Sequence, residues 1–454
     1  MDGARRSTDA SDEQEPKRPC LAGGRNGGAG GAGGSDAGDD DSHGDAGGGG
    51  RDAGGSGGDV GGGGGVGHAA AADDPRTLST LGDDVLRAIL SRLESSRQTV
   101  RMCVLSRSWR HLWRSVPSIH IDQQREFGSD HELQSFTNFL LDHHNNLVLL
   151  DAFRLLLSSQ DLRLPACLWV RRVISQDDTP PYQLKRLHLC NVHLDKDFAS
   201  HISDDRCPAL EDVRLENCSY FTTRYKITSF SLKKLVVDGL YMVQDDESDD
   251  DEEDEIFKLI IEAPALVSVR LAGELDHIVD INEPHTMDSL ADASVHLPMM
   301  TDEELNEVEE NDATALQSVL GVLLNVTTLT LSHFRLLFRP GDSVELQLPV
   351  FQNLRTLFLD ECYIVGDDFV GLKPYLHKSP NLEKLTLRCS KVQPGYSLNW
   401  YFGDDDLVDF MCDNLRLTEI IYQHDDDAAP LLVAFLLSIS RSLPKNKIEL
   451  IRVE

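Results

Sequence analysis

Leu210-Glu211-Asp212-Val213-Arg214-Leu215-Glu216-Asn217-Cys218 places apolar residues at its first, fourth and sixth positions and cysteine at its ninth. The same spacing governs Leu354, Leu357, Leu359 and Cys362. Weaker copies run Leu184-Leu187-Leu189, Leu232-Leu235-Val237, Leu266-Val269-Leu271, Leu290-Ala293-Val295, Val326-Leu329-Leu331 and Leu382-Leu385-Leu387. Copies starting at 184, 210 and 232 lie 26 and 22 residues apart, and those starting at 326, 354 and 382 lie 28 and 28 apart. Self-similarity at a period of roughly 20–50 residues marks a stacked supersecondary unit. The alternation at the fourth and sixth positions predicts a short strand with its apolar side chains on one face. One such unit cannot bury that face alone, so stacking must supply the burial. Each fully buried leucine then contributes about 1.5–3 kcal/mol.

The pattern fits the leucine-rich repeat, whose Asn or Cys at the turn satisfies backbone groups. A curved ladder with a strand-lined concave surface suited to binding protein is the expected architecture. Phe139, Leu140, Leu147 to Leu150 and Leu155 to Leu157 read as the start of the stack, and Leu168, Trp169 and Val173 as a helix covering its flank. Leu417, Ile420 and Tyr422 read as a late strand, Leu431 to Ile439 as a helix, and Ile448, Leu450 and Ile451 as a closing strand. Residues 123–454 are thus expected to be the repeat domain, with acidic disordered insertions near 244–255 and 298–312.

Upstream the periodicity is helical. Leu81, Val85, Leu86, Ile89, Leu90 and Leu93 form one apolar stripe, with Asp83 and Asp84 at the first turn, where the helix dipole favours carboxylates. A second helix is expected from Gln98 to Trp113, with Val100, Val104, Leu105, Trp109 and Leu112 inward and Pro117 ending it. So few helices cannot hide this many leucines and tryptophans, so a partner or a neighbouring domain must cover part of them. Residues 73–122 are read as this module.

These residues carry a family resemblance. The run Thr80-Leu81-Gly82-Asp83-Asp84-Val85-Leu86-Arg87-Ala88-Ile89-Leu90-Ser91-Arg92-Leu93 resembles the opening of an F-box, and Val104 to Pro117 resembles its second half as plants write it. With the repeats downstream, Asp73 to the C-terminus resembles the plant F-box proteins with leucine-rich repeats. The resemblance implies an α/β chain in which a helical F-box precedes a leucine-rich repeat solenoid (horseshoe). It further implies the substrate-recognition subunit of an SCF (Skp–cullin–F-box) ubiquitin ligase, without catalytic residues of its own. Leu81, Leu86, Ile89, Leu90, Val104, Trp109 and Leu112 would face a Skp-type adaptor that brings a cullin, and the repeats would hold an unidentified substrate protein. The family's usual proline after the first leucine is here Gly82, which loosens the helix start. The alternative is a repeat scaffold unconnected to ubiquitin transfer.

Composition narrows the remaining classes. Of 35 glycines, 25 lie at or before Gly67, so residues 1–72 are expected to be a disordered tail. A net charge of -33 argues against broad attraction to nucleic acid. Asp245 to Glu255, acidic except for Ser248, reads as a solvated loop. The arginines at 97, 101, 107, 110 and 114 alternate with residues that must be buried, unlike a DNA-reading helix. His188, Cys190 and His193 lack a fourth ligand for zinc, and no phosphate loop or nucleophile elbow is present. No metal, cofactor or catalytic residue is expected. Nine scattered cysteines without a CxxC pair, and no signal pattern after Met1, suggest an intracellular protein of the nucleus and/or cytoplasm. The apolar run from Pro430 to Leu436 is too short for a membrane span.

Overall fold

The computed structural model describes residues 81–104, 108–174, 182–220, 224–242, 258–273, 289–297, 319–333, 348–361, 372–388, 412–422, 428–438 and 443–453. All belong to one unit, Asp73–Glu454. The expected tail at 1–72, the acidic insertions near 244–255 and 298–312, Leu105 and Cys362 lie outside the described residues.

Twelve strands form one open, wholly parallel sheet in chain order. They are β1 (Ser118–Asp122), β2 (Ala152–Leu156), β3 (Arg186–Cys190), β4 (Asp212–Glu216), β5 (Lys234–Asp238) and β6 (Ser268–Ala272), then β7 (Asp292–His296), β8 (Thr328–Ser332), β9 (Thr356–Asp360), β10 (Lys384–Arg388), β11 (Leu417–Tyr422) and β12 (Lys447–Arg452). First residue pairs with first residue at every step. The second and fourth residues of the strands from β1 to β11 are buried, as with Leu357 and Leu359 at 0% exposure. Every repeat leucine predicted from the sequence joins this core. Where β11 substitutes Thr418, its hydroxyl donates to Asn446 Oδ1 at 2.9 Å, so the buried polar group is satisfied.

Two devices hold the register. Before each strand from β1 to β10 one carbonyl accepts two amides from the next repeat: Lys185 from Glu211 and Asp212 at 2.8 and 3.0 Å, Thr327 from Arg355 and Thr356 at 2.9 and 3.0 Å. After six strands the next residue adopts positive φ: Asn191, Asn217, Gly239, Gly273, His333 and Glu361. The amides of the first five turn to the following repeat, as Asn217 donates to the Asp238 carbonyl at 2.6 Å. The ninth-position cysteine behaves as the repeat reading required: Cys218 is fully buried, with Sγ 3.7 Å from the Leu189 carbonyl.

Helices α1 (Asp83–Leu90), α2 (Ser96–Arg101), α3 (Asp130–His143) and α4 (Arg163–Ile174) all lie before β3. α4 is the expected flank helix, burying Trp169 and Val173, whereas Leu168 is 66% exposed. The Trp169 indole donates to Asn138 Oδ1 on α3 at 2.8 Å. Two expectations need correction. The sheet begins at Ser118, inside the span 73–122 read as the helical module, because Ile119 and Ile121 alternate with polar neighbours but lack the leading leucine. The helix expected from Gln98 to Trp113 ends at Arg101; 3₁₀ turns follow at Met102–Val104, Ser108–Arg110 and Leu112–Ser115. Val104 consequently points outward at 85% exposure rather than inward. A further parallel pair, Arg224–Thr228 with Lys258–Glu262, has no counterpart in the repeat pattern.

Candidate functional site

The helical module has a core of its own. Leu86, Leu90, Trp109, Leu112 and Val116 pack together, with Leu93 and Met102 against them, as a cluster separate from the sheet core. Trp113, four residues past Trp109, belongs instead to the sheet core, its ring 5.7 Å from Phe139. Adjacent turns therefore place one indole in each core.

Local chemistry fixes both helices. Asp83 and Asp84 occupy the first turn of α1, where backbone amides are unpaired, and Arg87 pairs with Asp84 at 2.6 Å. Ser95 caps α2, its hydroxyl accepting the Gln98 amide at 3.1 Å. The module is then fastened to β1. Ser96 Oγ accepts the His120 amide at 2.8 Å, and Ser118 Oγ donates to the Ser91 carbonyl at 3.3 Å. Arg97 reaches the Glu126 carbonyl and the Glu132 carboxylate and stacks over Phe127 at 4.7 Å. His144 Nε2 lies 3.0 Å from the Val116 carbonyl, while its buried Nδ1 has no partner among the described residues. Burial lowers the His144 pKa, although the Val116 bond opposes this.

The seven residues expected to face an adaptor divide into two groups. Leu86, Leu90, Trp109 and Leu112 are buried at 6% exposure or less. Leu81 is 37%, Ile89 36% and Val104 85% exposed, and Val85, at 49%, joins them. The expected single stripe of α1 is thus two stripes. Leu86, Leu90 and Leu93 turn into the module, and Leu81, Val85 and Ile89, spaced four apart, turn to solvent. The adjacent pairs Val85-Leu86 and Ile89-Leu90 carried that signal: a stripe two residues wide exceeds what one neighbour can cover.

The solvent face of the sheet is chemically asymmetric. The third residues of β1 to β6 are His120, Arg154, His188, Arg214, Val236 and Arg270; those of β7 to β12 are Ser294, Thr330, Phe358, Thr386, Glu419 and Glu449. Cations and imidazoles thus occupy five of the six central positions of the first half and none of the second. Arg214 pairs with Asp212 at 3.3 Å, and Arg270 with Asp238 at 3.5 Å. Arg154 and Arg186 make no ion pair among the described residues, and Arg154 Nε is buried without a hydrogen-bond partner there. His120 is held below the ordinary imidazole range by burial, then by the charges of Arg154 and Arg186. Burial likewise lowers His188, although Glu216, 3.1 Å away, opposes it.

The residues weighed for zinc have other engagements. His188 and Cys190 do share a face of β3, but His193 lies on a separate two-residue strand, its Nδ1 3.1 Å from Ser219 Oγ. Among the described residues no group of three or more His, Cys, Asp or Glu could hold a metal ion. No described helix is long and apolar enough to cross a membrane. A shallow cleft lined by Cys167, Arg171, His193, Asp195 and His201 lies beside α4.

Comparison with known proteins agrees with the architecture. No family model matches the chain. The meiotic F-box protein MOF of Oryza sativa subsp. japonica is 28% identical over 363 residues, 69% of this chain and 71% of the relative. An F-box/LRR-repeat protein of Arabidopsis thaliana is 24% identical over 69% of this chain and 94% of its own length. An F-box/FBD/LRR-repeat protein of the same plant is 25% identical over 68% of this chain and 76% of its own length. A helical module with its own core, an ordered parallel ladder and these relatives together identify the chain as similar to the plant F-box proteins with leucine-rich repeats.

Proposed function

We propose that this chain is the substrate-recognition subunit of an SCF-type ubiquitin ligase, its F-box module docking a Skp-type adaptor and, through it, a cullin. The twelve-stranded ladder is then a leucine-rich repeat solenoid that holds a target protein. The observation that carries the reading is the exposed apolar series of Leu81, just before the N-cap of α1, and Val85 and Ile89 on α1, a helix whose opposite stripe is already filled. An amphipathic helix with two apolar stripes suits a module packed on one side by its own chain and on the other by a partner groove. In this arrangement Leu81, Ile89 and Val104 touch the adaptor, while Leu86, Leu90, Trp109 and Leu112 hold them in place. The relatives' F-box names support a substrate-recognition role, and F-box proteins generally act as non-catalytic adaptors. The chemistry would then be proximity: a bound target held near a ubiquitin-carrying enzyme. The free thiols of Cys103, Cys167, Cys190, Cys207, Cys218 and Cys412 accord with a reducing intracellular compartment.

Co-purification of the full chain with a plant Skp-type adaptor tests the docking. Val85→Glu with Ile89→Glu places charge on the exposed stripe and leaves the inner cluster intact, so it should abolish association without lowering the melting temperature. Undiminished association would defeat the assigned surface. Trp109→Ala is the weaker choice, because a residue at 2% exposure acts through folding as well as contact.

A further inference from the structure

We infer that the solvent face of β1 to β6 binds an extended, Asp/Glu-rich segment of the target protein, laid across the strands over Arg154. This rests on the proposed substrate-holding role of the sheet and names the class of segment it takes. The chain carries a net charge of -33, yet the centre of this half-sheet holds Arg154, Arg214 and Arg270 with His120 and His188, and no acid. Arg186 adds a further exposed guanidinium at the start of β3.

The decisive residue is Arg154. Its neighbours across the ladder in the same register are His120 and His188, whose pKa burial lowers in both cases. Its Nε is buried without a hydrogen-bond partner among the described residues, and it makes no ion pair there. The charge of this half-buried side chain is therefore left for an incoming carboxylate. Carboxylates on the same face edge the column, Asp212 on one side and Asp122, Glu216 and Asp238 on the other. They would repel a concentrated dianion such as phosphate more strongly than single carboxylates spread along a chain.

Dimensions favour a peptide. Strands in a sheet lie about 4.8 Å apart, so the six strands of the column span roughly 24 Å, the length of about seven extended residues. The second half of the sheet, with Ser294, Thr330 and Phe358 at its centre and then Glu419 and Glu449, cannot supply the same complement.

Fluorescence anisotropy with the full chain and a labelled Glu/Asp-rich dodecapeptide tests the inference, beside a net-neutral peptide of equal length. The acidic peptide should bind at low ionic strength and weaken as salt rises, and the neutral one should not bind. Arg186→Glu with Arg270→Glu, both exposed, should weaken binding by about tenfold or more. Arg154→Gln, which keeps a hydrogen-bonding side chain, should also weaken it. A matched reversal in the second half, Lys384→Glu with Lys447→Glu, should leave it unchanged. Equal loss in that control, or no loss in the first pair, overturns the proposal. So does tighter binding of a phosphorylated neutral peptide or of a single-stranded oligonucleotide. Adaptor co-purification run on the same variants separates the two readings. Loss of adaptor binding in the wild-type chain sinks the ligase assignment alone, and loss of peptide selectivity with the adaptor still bound sinks only this one.

Discussion

Replacing Trp109 by alanine should loosen the helical module while leaving the sheet intact. Trp109 is 2% exposed and is the largest member of a cluster whose other buried members are Leu86, Leu90, Leu112 and Val116. Truncating a buried tryptophan costs about 3–5 kcal/mol in transfer and cavity terms. With tenfold in an equilibrium for about every 1.4 kcal/mol, the module's opening constant should rise by roughly two to four orders of magnitude. Native-state hydrogen exchange reads this directly. The Leu86 amide, bonded to the Gly82 carbonyl at 3.1 Å, and the Ser91 amide, bonded to Arg87 at 2.8 Å, should exchange faster by that factor, or reach the unprotected rate if the module's stability is smaller. The Thr356 amide, bonded to the Thr327 carbonyl at 3.0 Å, should be unaffected. Trp113→Ala should strike the opposite set, because its ring lies in the sheet core beside Phe139. Uniform acceleration in both variants would show a single cooperative unit and refute the division into two cores.

Three further outcomes follow from particular residues. Gly82 caps α1 at φ -66°, with nothing within 4 Å of an added Cβ, so Gly82→Pro should raise stability by about 0.4–1 kcal/mol in urea melts, and a loss would mean the position is misread. Gly239 sits at φ +65°, and a Cβ there would approach Asn217 Oδ1 to 2.5 Å, so Gly239→Ala should destabilise by about 1 kcal/mol or more. Because the folded His144 imidazole binds its proton less readily than the unfolded one, stability should fall as pH drops through and below about 6.5. His144→Gln, which can still donate to the Val116 carbonyl, should flatten that part of the melting-temperature profile, and an unchanged slope would assign the effect to other groups.

The repeat cores were legible because three buried positions recur in each unit, and a leucine at 0% exposure is dictated by the sheet wherever it falls. β1 was not, since Ile119 and Ile121 offer period two over only five residues and adjoin a helical segment. The true end of the second helix is hidden because apolar residues at helical spacing do not distinguish one helix from a helix followed by tighter 3₁₀ turns. Sequence spacing also could not separate Leu86 from Ile89: both lie on one broad stripe, and which half faces inward depends on where Trp109 and Leu112 return. The basic column was invisible for a different reason. His120, Arg154 and Arg214 stand far apart along the chain, and only the register of neighbouring strands brings them side by side.

That register has a consequence for change in the chain. Asp212 and Lys234, 22 residues apart, pair in the same frame as Asp292 and Thr328, 36 residues apart. Lengthening or shortening a connection alters what hangs between rungs but never shifts a side chain to another column. The sheet face can therefore be rewritten one residue at a time, like cells in a grid whose rows are locked, while the intervening segments vary in length without disturbing the text.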